Sequence, residues 1–511
     1  MDIKKPVETA KSLYERLKTD REPYITKAEE CAKYTIPSLF PKPSDNSSTK
    51  FDTPYQSVGS RGINNLASKL MLALLPPNSP FFRLSISEEA SKGLANQGET
   101  KTKVEEALGK LERKIMKYIE TNQIRVTAAE ALKQLVVAGN GLLYLPPKEG
   151  GIKLYKLNTY VIQRDALGNV IQLITLDKIA FAALPDDVQD IVAKGGAVKP
   201  DKMVEIYTHA YRDDDFLYSY QEMEGEMIPG TDQKFPISKS PWIPLRMVKV
   251  DGESYARSFV EECIGDLKSL EGLSKAIVEF AAIAATIIPL VNPNGVTRVS
   301  KLNKAKTGEF VPGRREDIQY LQLEKYADFQ VAKAAADGIE SRLCYAFMLN
   351  SAVQRNGERV TAEEIRYVAG ELEDTLGGIY SILSQEFQLP LVRRLLTQLQ
   401  SIGEIPDLPE GAVEPAITTG LEALGRGHDL NKLTMFLNYV KDIPEAANRI
   451  KMNTLVTMVA TALGIDTQDL IKSDKEVQKE MELQQQLEML RNATPNLAKG
   501  FVDAQQGEGG E

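Results

Sequence analysis

Two long stretches of helical periodicity, separated by a short insertion, constrain the fold of this chain more than any other feature. From Val260, apolar residues recur at steps of three and four, at Ile264, Leu267, Leu270, Leu273, Ile277, Phe280, Ala284 and Ile287. This spacing predicts a helix of about thirty residues, roughly 45 Å long, that ends at Pro289. A second apolar stripe follows at Phe329, Ala332, Ala336, Ile339, Leu343 and Phe347. We expect the two helices to pack as an antiparallel pair with the insertion at its tip.

The insertion at residues 290–323 contains strand-like pieces and turn residues, and it is locally basic. Its acidic residues are Glu309, Glu316 and Asp317, and its basic residues are Arg298, Lys301, Lys304, Lys306, Arg314 and Arg315. Two interpretations are open. The cations contact DNA or an acidic partner, or they form an ordinary solvated surface, which composition alone favours.

A polar loop at residues 349–360 follows the second stripe. It contains the sequence QRNGER, in which Arg355 and Arg359 are open to the same two interpretations. Thr361 and Glu364 then form a T-x-x-E capping box, which predicts the start of another helix.

The helix after the loop is long, and its glycines predict a bend. Its apolar stripe comprises Ile365, Val368, Leu372, Leu376, Ile379, Leu383 and Phe387. Gly370 and the pair Gly377–Gly378 interrupt the stripe, and glycines inside helices are common sites of kinks. Further short helices are expected over residues 416–471, before a polar helix and a polar tail.

The first half of the chain combines helices with a sheet. The segment GINNLASKLMLALLPP places one helical stripe at Ile63, Leu66, Leu70 and Leu74. Pro76–Pro77 end that helix. From residue 141 to residue 250 the runs are strand-like, and the turn at Gly168–Asn169 predicts a β-hairpin. The fold class is therefore predicted to be α+β.

Composition indicates in which cellular compartment the protein is found and how strongly it could bind nucleic acid. The 511 residues suffice for roughly two to four domains. A formal charge of −9 argues against tight DNA binding but leaves a weakly interacting DNA-facing surface open. Three widely spaced cysteines, Cys31, Cys263 and Cys344, suit thiols in a reducing compartment. Since no apolar run is long enough for a membrane span and no signal peptide is apparent, we expect a soluble, intracellular protein.

Motifs for catalysis or metal binding are scarce. The two histidines, His209 and His428, are far apart, so no zinc site is indicated, and His209 is expected to be a structural residue of a strand. The segment GESYA resembles a nucleophile elbow without its last glycine, which leaves a hydrolase using Ser254 as a rival to a turn or capping role. The acidic cluster at Glu371 is expected to be solvated, with a nuclease-type metal site as the alternative. We predict no catalytic residue, no metal site and no cofactor.

Several long sequence strings, taken in order, are more specific than any single motif. They include SLYERLK, CAKYTIPSLFPK, NNLASKLMLALLP, EALKQLVVAGN, DGESYARSF and LNSAVQRNGERVTAEEIRYVAGELEDTLGG. These strings and the order of elements resemble the portal protein, or head-to-tail connector, of short-tailed podoviruses that encode their own RNA polymerase. The resemblance extends over nearly the whole chain as far as residue 430 and is thinner beyond it.

The resemblance implies a portal fold with a mixed α/β wing, long stem helices, a small α/β clip and a helical crown, assembled as a ring. The wing is implied to comprise residues 1–257 and a long kinked helix at 361–410. The stem comprises the helices at 258–289 and 324–348, with the clip at 290–323 between them and the tunnel loop at 349–360 after them. The crown covers 411–490, and a flexible tail covers 491–511.

The resemblance also implies a structural, non-enzymatic function. Portal proteins form a ring of twelve at one capsid vertex, through which double-stranded DNA is packaged by the terminase and later ejected. The implied partners are further copies of the chain, sliding DNA, the terminase large subunit, a tail adaptor or tail tube protein, the major capsid protein, the scaffolding protein and internal core proteins, with no membrane. The implied location is the virion, after assembly in the host bacterial cytoplasm.

Two groups of residues acquire implied roles. The tunnel loop that faces DNA comprises Gln354, Arg355, Asn356, Gly357, Glu358 and Arg359. The clip that docks the terminase or the tail adaptor uses Arg298, Lys301, Lys304, Lys306, Arg314 and Arg315. A charge of −9 per copy suits a channel in which DNA slides, with narrow basic belts to steer it. An asymmetric helical adaptor without a channel and a hydrolase using Ser254 are the alternatives.

Overall fold

The computed structural model describes most of the chain up to residue 417. The described residues are 8–42, 44–46, 48–77, 80–87, 98–148, 150–193, 198–284, 289–320, 326–349, 368, 370–372, 376, 378–406, 413–417 and 438. The chain divides into two compact units, Met1–Gly420 and Leu421–Glu511. Apart from Asn438, the predicted crown helices beyond residue 420 and the predicted tail lie outside the described residues. Thr361, Glu364 and His428 also lie outside them.

Ten α-helices are defined within these residues. They are α1 (Ala10–Lys33), α2 (Val58–Leu74), α3 (Gly98–Thr121), α4 (Ile124–Ala138), α5 (Asp186–Ala193), α6 (Phe259–Ala284), α7 (Val299–Leu302), α8 (Tyr326–Ala346), α9 (Gly378–Leu383) and α10 (Leu389–Ser401). Among the described residues, no helix combines the length and hydropathy that a membrane span requires.

Thirteen strands are defined in the same residues, and all their pairings are antiparallel. They are β1 (Phe82–Ile86), β2 (Asn140–Tyr144), β3 (Lys153–Tyr155), β4 (Tyr160–Arg164), β5 (Val170–Ala180), β6 (Met203–Asp213), β7 (Phe216–Met223), β8 (Glu226–Met227), β9 (Gln233–Pro236), β10 (Trp242–Arg246), β11 (Pro289–Val291), β12 (Ile318–Tyr320) and β13 (Val413–Ile417). Helices and antiparallel sheets occupy largely separate stretches of the chain, so the predicted α+β class is confirmed.

The largest sheet has the order β4-β5-β6-β7-β8, with β9 also paired to β7. The predicted hairpin at Gly168–Asn169 is confirmed as the β4–β5 turn. Asp165 Oδ1 accepts hydrogen bonds from the backbone N–H groups of Leu167 and Asn169 at 2.9 and 2.8 Å. Gly168 adopts a positive φ of 86°, which this tight turn requires.

A smaller sheet, β10-β2-β3, packs beside the helices. Its β10 strand contributes Trp242, which is buried between two tyrosines. The Trp242 ring centroid lies 4.3 Å from that of Tyr144 and 5.8 Å from that of Tyr155. Aromatic contacts at these distances add stabilisation beyond the area that they bury.

Helix α2 lies at the centre of the main core. Its predicted stripe is confirmed, because Ile63, Leu66, Leu70 and Leu74 are all 0% exposed. The helix ends at Leu74, just before the predicted stop at Pro76–Pro77. Burying a stripe of this kind supplies most of the stability of an amphipathic helix.

The helix predicted after the tunnel loop is irregular at residues 384–388, whereas the bend was predicted at Gly370 and Gly377–Gly378. A π-helical turn, Ser384–Gln388, separates α9 from α10, and the Leu389 N–H donates to the carbonyl of Ser384. Pro390 explains it, because in a regular helix its ring would collide with the carbonyl four residues earlier. Glu386, in this turn, pairs with the buried Arg246 of β10, whose Nε lies 3.1 Å from Glu386 Oε1.

One segment of the predicted helical crown is a strand instead. Residues 413–417 form β13, which pairs with β1 so that Val413 lies opposite Ile86 and Ile417 opposite Phe82. The expectation of helices from residue 411 is therefore wrong for this segment. The segment VEPAI contains Pro415, a poor residue for a helix interior, and β1 offers it a partner edge.

Candidate channel-forming stem and docking clip

Helices α6 and α8, the predicted stem, pack against each other, and their predicted antiparallel pairing is confirmed. Arg342 in the last part of α8 pairs with Asp266 near the start of α6, with Nη2 and Oδ1 2.8 Å apart. At the other end, Phe280 stacks on Phe329 with ring centroids 4.9 Å apart. The first of these helices is described over 26 residues, to Ala284, and its predicted end at Pro289 lies beyond residues that the structure does not describe.

A capping box fixes the start of α6. The Ser258 hydroxyl accepts from the Glu261 N–H at 3.1 Å, and the Glu261 carboxylate accepts from the Ser258 N–H at 3.0 Å. Each side chain thus satisfies a backbone donor that the helix end leaves open. The sequence SFVE carries this S-x-x-E signature, so sequence reasoning had a signal here that it missed.

The junction of α4 and β2 holds the chain just before this cap. Asn140 clamps Ala256, because its Oδ1 accepts from the Ala256 N–H and its Nδ2 donates to the Ala256 carbonyl, both at 2.8 Å. Gly139, with φ +74°, lies directly against the backbone of Arg257. A Cβ at Gly139 would be 2.6 Å from the Arg257 carbonyl carbon. The base of α6 is therefore set by close backbone contact.

The end of α8 forms a Schellman motif. The Leu349 N–H donates to the Cys344 carbonyl at 2.8 Å, and the Met348 N–H donates to the Tyr345 carbonyl at 3.0 Å. Met348 takes the left-handed position with φ +54°, where glycine is usual. Its side chain is buried, which compensates for the conformational cost of a non-glycine residue there.

The outer half of the predicted stem is poorly covered by the described part of the chain. Beyond Leu270, no residue of α6 in the described part of the chain is fully buried. Three large apolar side chains in this outer half are more than half exposed: Val278 (52%), Ile283 (61%) and Val331 (71%); Tyr345, at the wing end of α8, is 78% exposed. Several exposed large apolar side chains on one pair of helices are consistent with a surface of association.

The clip is closed by a short sheet and a buried threonine–aspartate pair. Strands β11 and β12 pair at its base. The Asp317 carboxylate accepts from the Thr297 hydroxyl at 2.7 Å and from the Thr297 N–H at 3.0 Å. Hydrogen bonds from Thr297 lower the pKa of Asp317. The Arg314 N–H in turn donates to the Thr297 hydroxyl at 2.9 Å, which ties the loop before β12 to this pair.

All six basic residues predicted for the clip are exposed, and they lie on three successive segments of it. Two belong to α7 and its N-cap, two to the following turn and two to the approach to β12; they are Arg298, Lys301, Lys304, Lys306, Arg314 and Arg315. Glu309 and Glu316 are exposed among them, whereas Asp317 is buried, so the surface is net positive. Phe310 projects fully into solvent at 101% exposure. The clip thus exposes both six cations and one apolar aromatic.

The predicted tunnel-loop residues lie outside the described residues. They are Gln354, Arg355, Asn356, Gly357, Glu358 and Arg359. Their assignment stays a prediction from the sequence.

The hydrogen bonds of His209 and Ser254 support structural roles for both residues. His209 is buried in β6, with Nδ1 3.1 Å from the Tyr220 hydroxyl and Nε2 3.2 Å from Gln172 Oε1. Burial lowers the pKa of His209 to about 4, and both ring nitrogens are engaged. Ser254 Oγ accepts from the Arg164 N–H at 3.3 Å, which fits a turn residue. Within the described residues, no His/Cys/Asp/Glu group is arranged to hold a metal ion.

The sequence matches a protein family and several named relatives. The family described as bacteriophage head to tail connecting protein matches residues 7–471. The portal protein of Enterobacteria phage T3 is 58% identical over 478 residues, 92% of this chain and 89% of the relative. The portal protein of Escherichia phage T7 is 55% identical over 507 residues, 96% and 94% of the two chains. That of Enterobacteria phage SP6 is 32% identical over 507 residues, 97% of each. This chain belongs to the family of bacteriophage head-to-tail connecting proteins.

Proposed function

We propose that this chain is a portal protein, twelve copies of which form a ring at one capsid vertex that carries double-stranded DNA in during packaging and out during ejection. The relatives named portal proteins match it over nearly their whole length. The observation that carries the proposal is the stem, a two-helix hairpin with apolar side chains that the described part of one chain leaves exposed.

A ring supplies the missing cover. A head-to-tail contact that closes on itself places two different faces of each stem against its neighbours. Val278 and Ile283 on α6, and Val331 and Tyr345 on α8, are then removed from water without any change in the fold of the chain. The same proposal includes the division of the chain into wing, stem, clip, tunnel loop and crown that the sequence resemblance implies.

The proposed channel does not need high affinity for DNA. Each copy carries a formal charge of −9, so a ring repels the phosphate backbone overall. Local cations in the tunnel loop and the clip then steer the duplex without holding it. The role is structural, without catalytic turnover, and the proposed location is the portal vertex of the virion.

Native mass spectrometry and negative-stain images of the purified chain test the proposal. We expect closed rings for the wild type and a loss of rings for Val331→Asp, because the aspartate would be buried unpaired between stems. Leu167→Asp is the control, since Leu167 is 80% exposed on the β4–β5 turn and away from the stem. A persistent wild-type monomer at micromolar concentration rules out the ring, and an open asymmetric assembly favours an adaptor without a channel.

The clip is proposed to dock the terminase large subunit during packaging and a tail adaptor or tail tube protein afterwards. Its exposed cations and Phe310 suit an acidic surface with an apolar recess. The major capsid protein, the scaffolding protein and internal core proteins are proposed to contact other parts of the ring.

Arg314→Ala with Arg315→Ala is expected to weaken this docking. Both side chains are exposed, so the fold should be unaffected while two charges that attract an acidic partner disappear. Binding of preformed rings to the terminase or adaptor, measured by biolayer interferometry at two salt concentrations, should fall and lose part of its salt dependence. Arg16→Ala with Lys18→Ala on α1 removes the same charge from the wing. Equal binding by the clip variant and the wild type would remove these arginines from the interface.

A further inference from the structure

One face of α2 holds the end of stem helix α8. Three positions of α2, separated by three and four residues, lie on this face. A Cβ at Gly62 would be 2.4 Å from Phe347 Cγ, so the aromatic ring packs directly on the helix backbone. Asn65 Nδ2 donates to the carbonyls of Phe347 and Met348, at 3.0 Å each. Lys69 Nζ donates to the Met348 carbonyl at 3.1 Å.

These contacts satisfy two carbonyl groups at the C-terminal end of α8, those of Phe347 and Met348. The same end carries the partial negative charge of the helix dipole, which favours a nearby ammonium. Lys69 therefore has a reason to be buried at this place, where its side chain is 5% exposed.

The same ammonium also binds the chain beyond the tunnel loop. Lys69 Nζ lies 2.9 Å from Oε2 of Glu371, whose side chain is 24% exposed. Met348 and Glu371 stand on either side of the predicted tunnel loop in the sequence. One buried cation thus contacts both the last turn of the stem and the helical segment that returns to the wing.

We propose that Lys69 is a positioning residue, which fixes the end of stem helix α8 against the wing and so sets the geometry of the DNA passage in each subunit. The inference rests on the proposed portal function. It assigns a role to a wing residue that need not touch DNA or any partner protein. A buried ammonium that has two acceptors from different elements resists displacement of either one, because breaking one contact leaves a charge unpaired in the interior.

Lys69→Met tests the inference, because methionine keeps an unbranched side chain and removes the ammonium. We expect rings to form, and the yield of packaged genome per ring to fall about tenfold. Cryo-electron microscopy of the rings should show the end of α8 displaced from α2. Glu371→Gln is a second variant, which removes the ion pair while keeping an acceptor, and it should show a smaller fall in the same direction.

Leu66→Ala is the matched control for a merely structural effect. Leu66 lies three residues earlier on α2 and is 0% exposed, so its truncation destabilises the same helix without touching the ammonium. If Leu66→Ala lowers the melting temperature as much as Lys69→Met and reduces genome yield equally, Lys69 is only a stability residue and the inference fails. The inference also fails if Lys69→Met rings package as much genome as wild-type rings. If Lys69→Met does not fold, a wild-type genome yield from Glu371→Gln rings overturns it instead. A wild-type chain that forms no rings would instead contradict the portal function itself.

Discussion

Replacing Gly139 with alanine is expected to lower the free energy of unfolding by about 2–5 kcal/mol. Two effects add. Gly139 has φ +74°, a conformation that costs an alanine about 1 kcal/mol or more. The new Cβ would also lie 2.6 to 2.8 Å from backbone atoms of Arg257 and Ser258, which cannot rotate away as a flexible side chain would. Urea denaturation of wild type and variant measures the change.

Gly230→Ala is a closely matched control for this substitution. Gly230 has φ +75°, and a Cβ there would meet no atom within 4 Å. It should therefore show the conformational cost alone, about 1 kcal/mol. The difference between the two variants isolates the steric overlap with the base of α6. If Gly139→Ala and Gly230→Ala lower the free energy of unfolding equally, the backbone of Arg257 moves aside for the new Cβ without a measurable loss of stability.

The Gly139 variant also tests how the stem depends on the wing. Arg257 and Ser258 directly precede α6, and Ser258 provides its cap. Displacing this backbone shifts the start of the first stem helix. We therefore expect fewer closed rings from Gly139→Ala than from Gly230→Ala at the same protein concentration.

Charge reversal in the tunnel loop, Arg355→Glu with Arg359→Glu, is expected to leave rings intact and reduce the yield of packaged genome by roughly tenfold or more. Each copy exchanges two positive charges for two negative ones, and a ring repeats this change in every subunit. Phosphates that enter the channel then meet repulsion where the wild type offers attraction. Packaged DNA per particle, measured by quantitative PCR after nuclease treatment, gives the yield.

Arg355→Lys with Arg359→Lys is the control for this variant, since it keeps the charge and changes only the shape of the donor group. Near-normal yield is expected from it. If the charge-reversed rings package as much DNA as the wild type, the loop has no electrostatic part in the passage of DNA.

Sequence patterns predicted the features that depend on near neighbours. The stripe of α2 and the turn at Gly168 each follow from residues within one element or one turn, and both are present. The stem pair followed from two periodic stretches, because their apolar faces need a partner. The six basic residues of the predicted clip were identified by charge, and the fold places all of them at the surface.

Features that depend on distant residues were not predictable in this way. The contacts of Lys69 join residues about 280 and 300 positions away, and no local pattern reports such a pairing. Strand β13 exists because β1 offers an edge, which the segment itself does not reveal. The bend after the tunnel loop was assigned to glycines, whereas the described irregularity precedes Pro390, whose steric effect acts four residues back along the helix.

The burial of Trp242 between Tyr144 and Tyr155 gives the protein a built-in spectroscopic probe. It is the single tryptophan in the 511-residue chain. Its fluorescence therefore reports on the β10-β2-β3 sheet alone, and the stem and clip contribute no indole signal. A transition that unfolds the stem helices while the sheet stays packed will lower the helical circular dichroism signal and leave tryptophan emission unchanged, so the two signals together separate unfolding of the stem from melting of the wing.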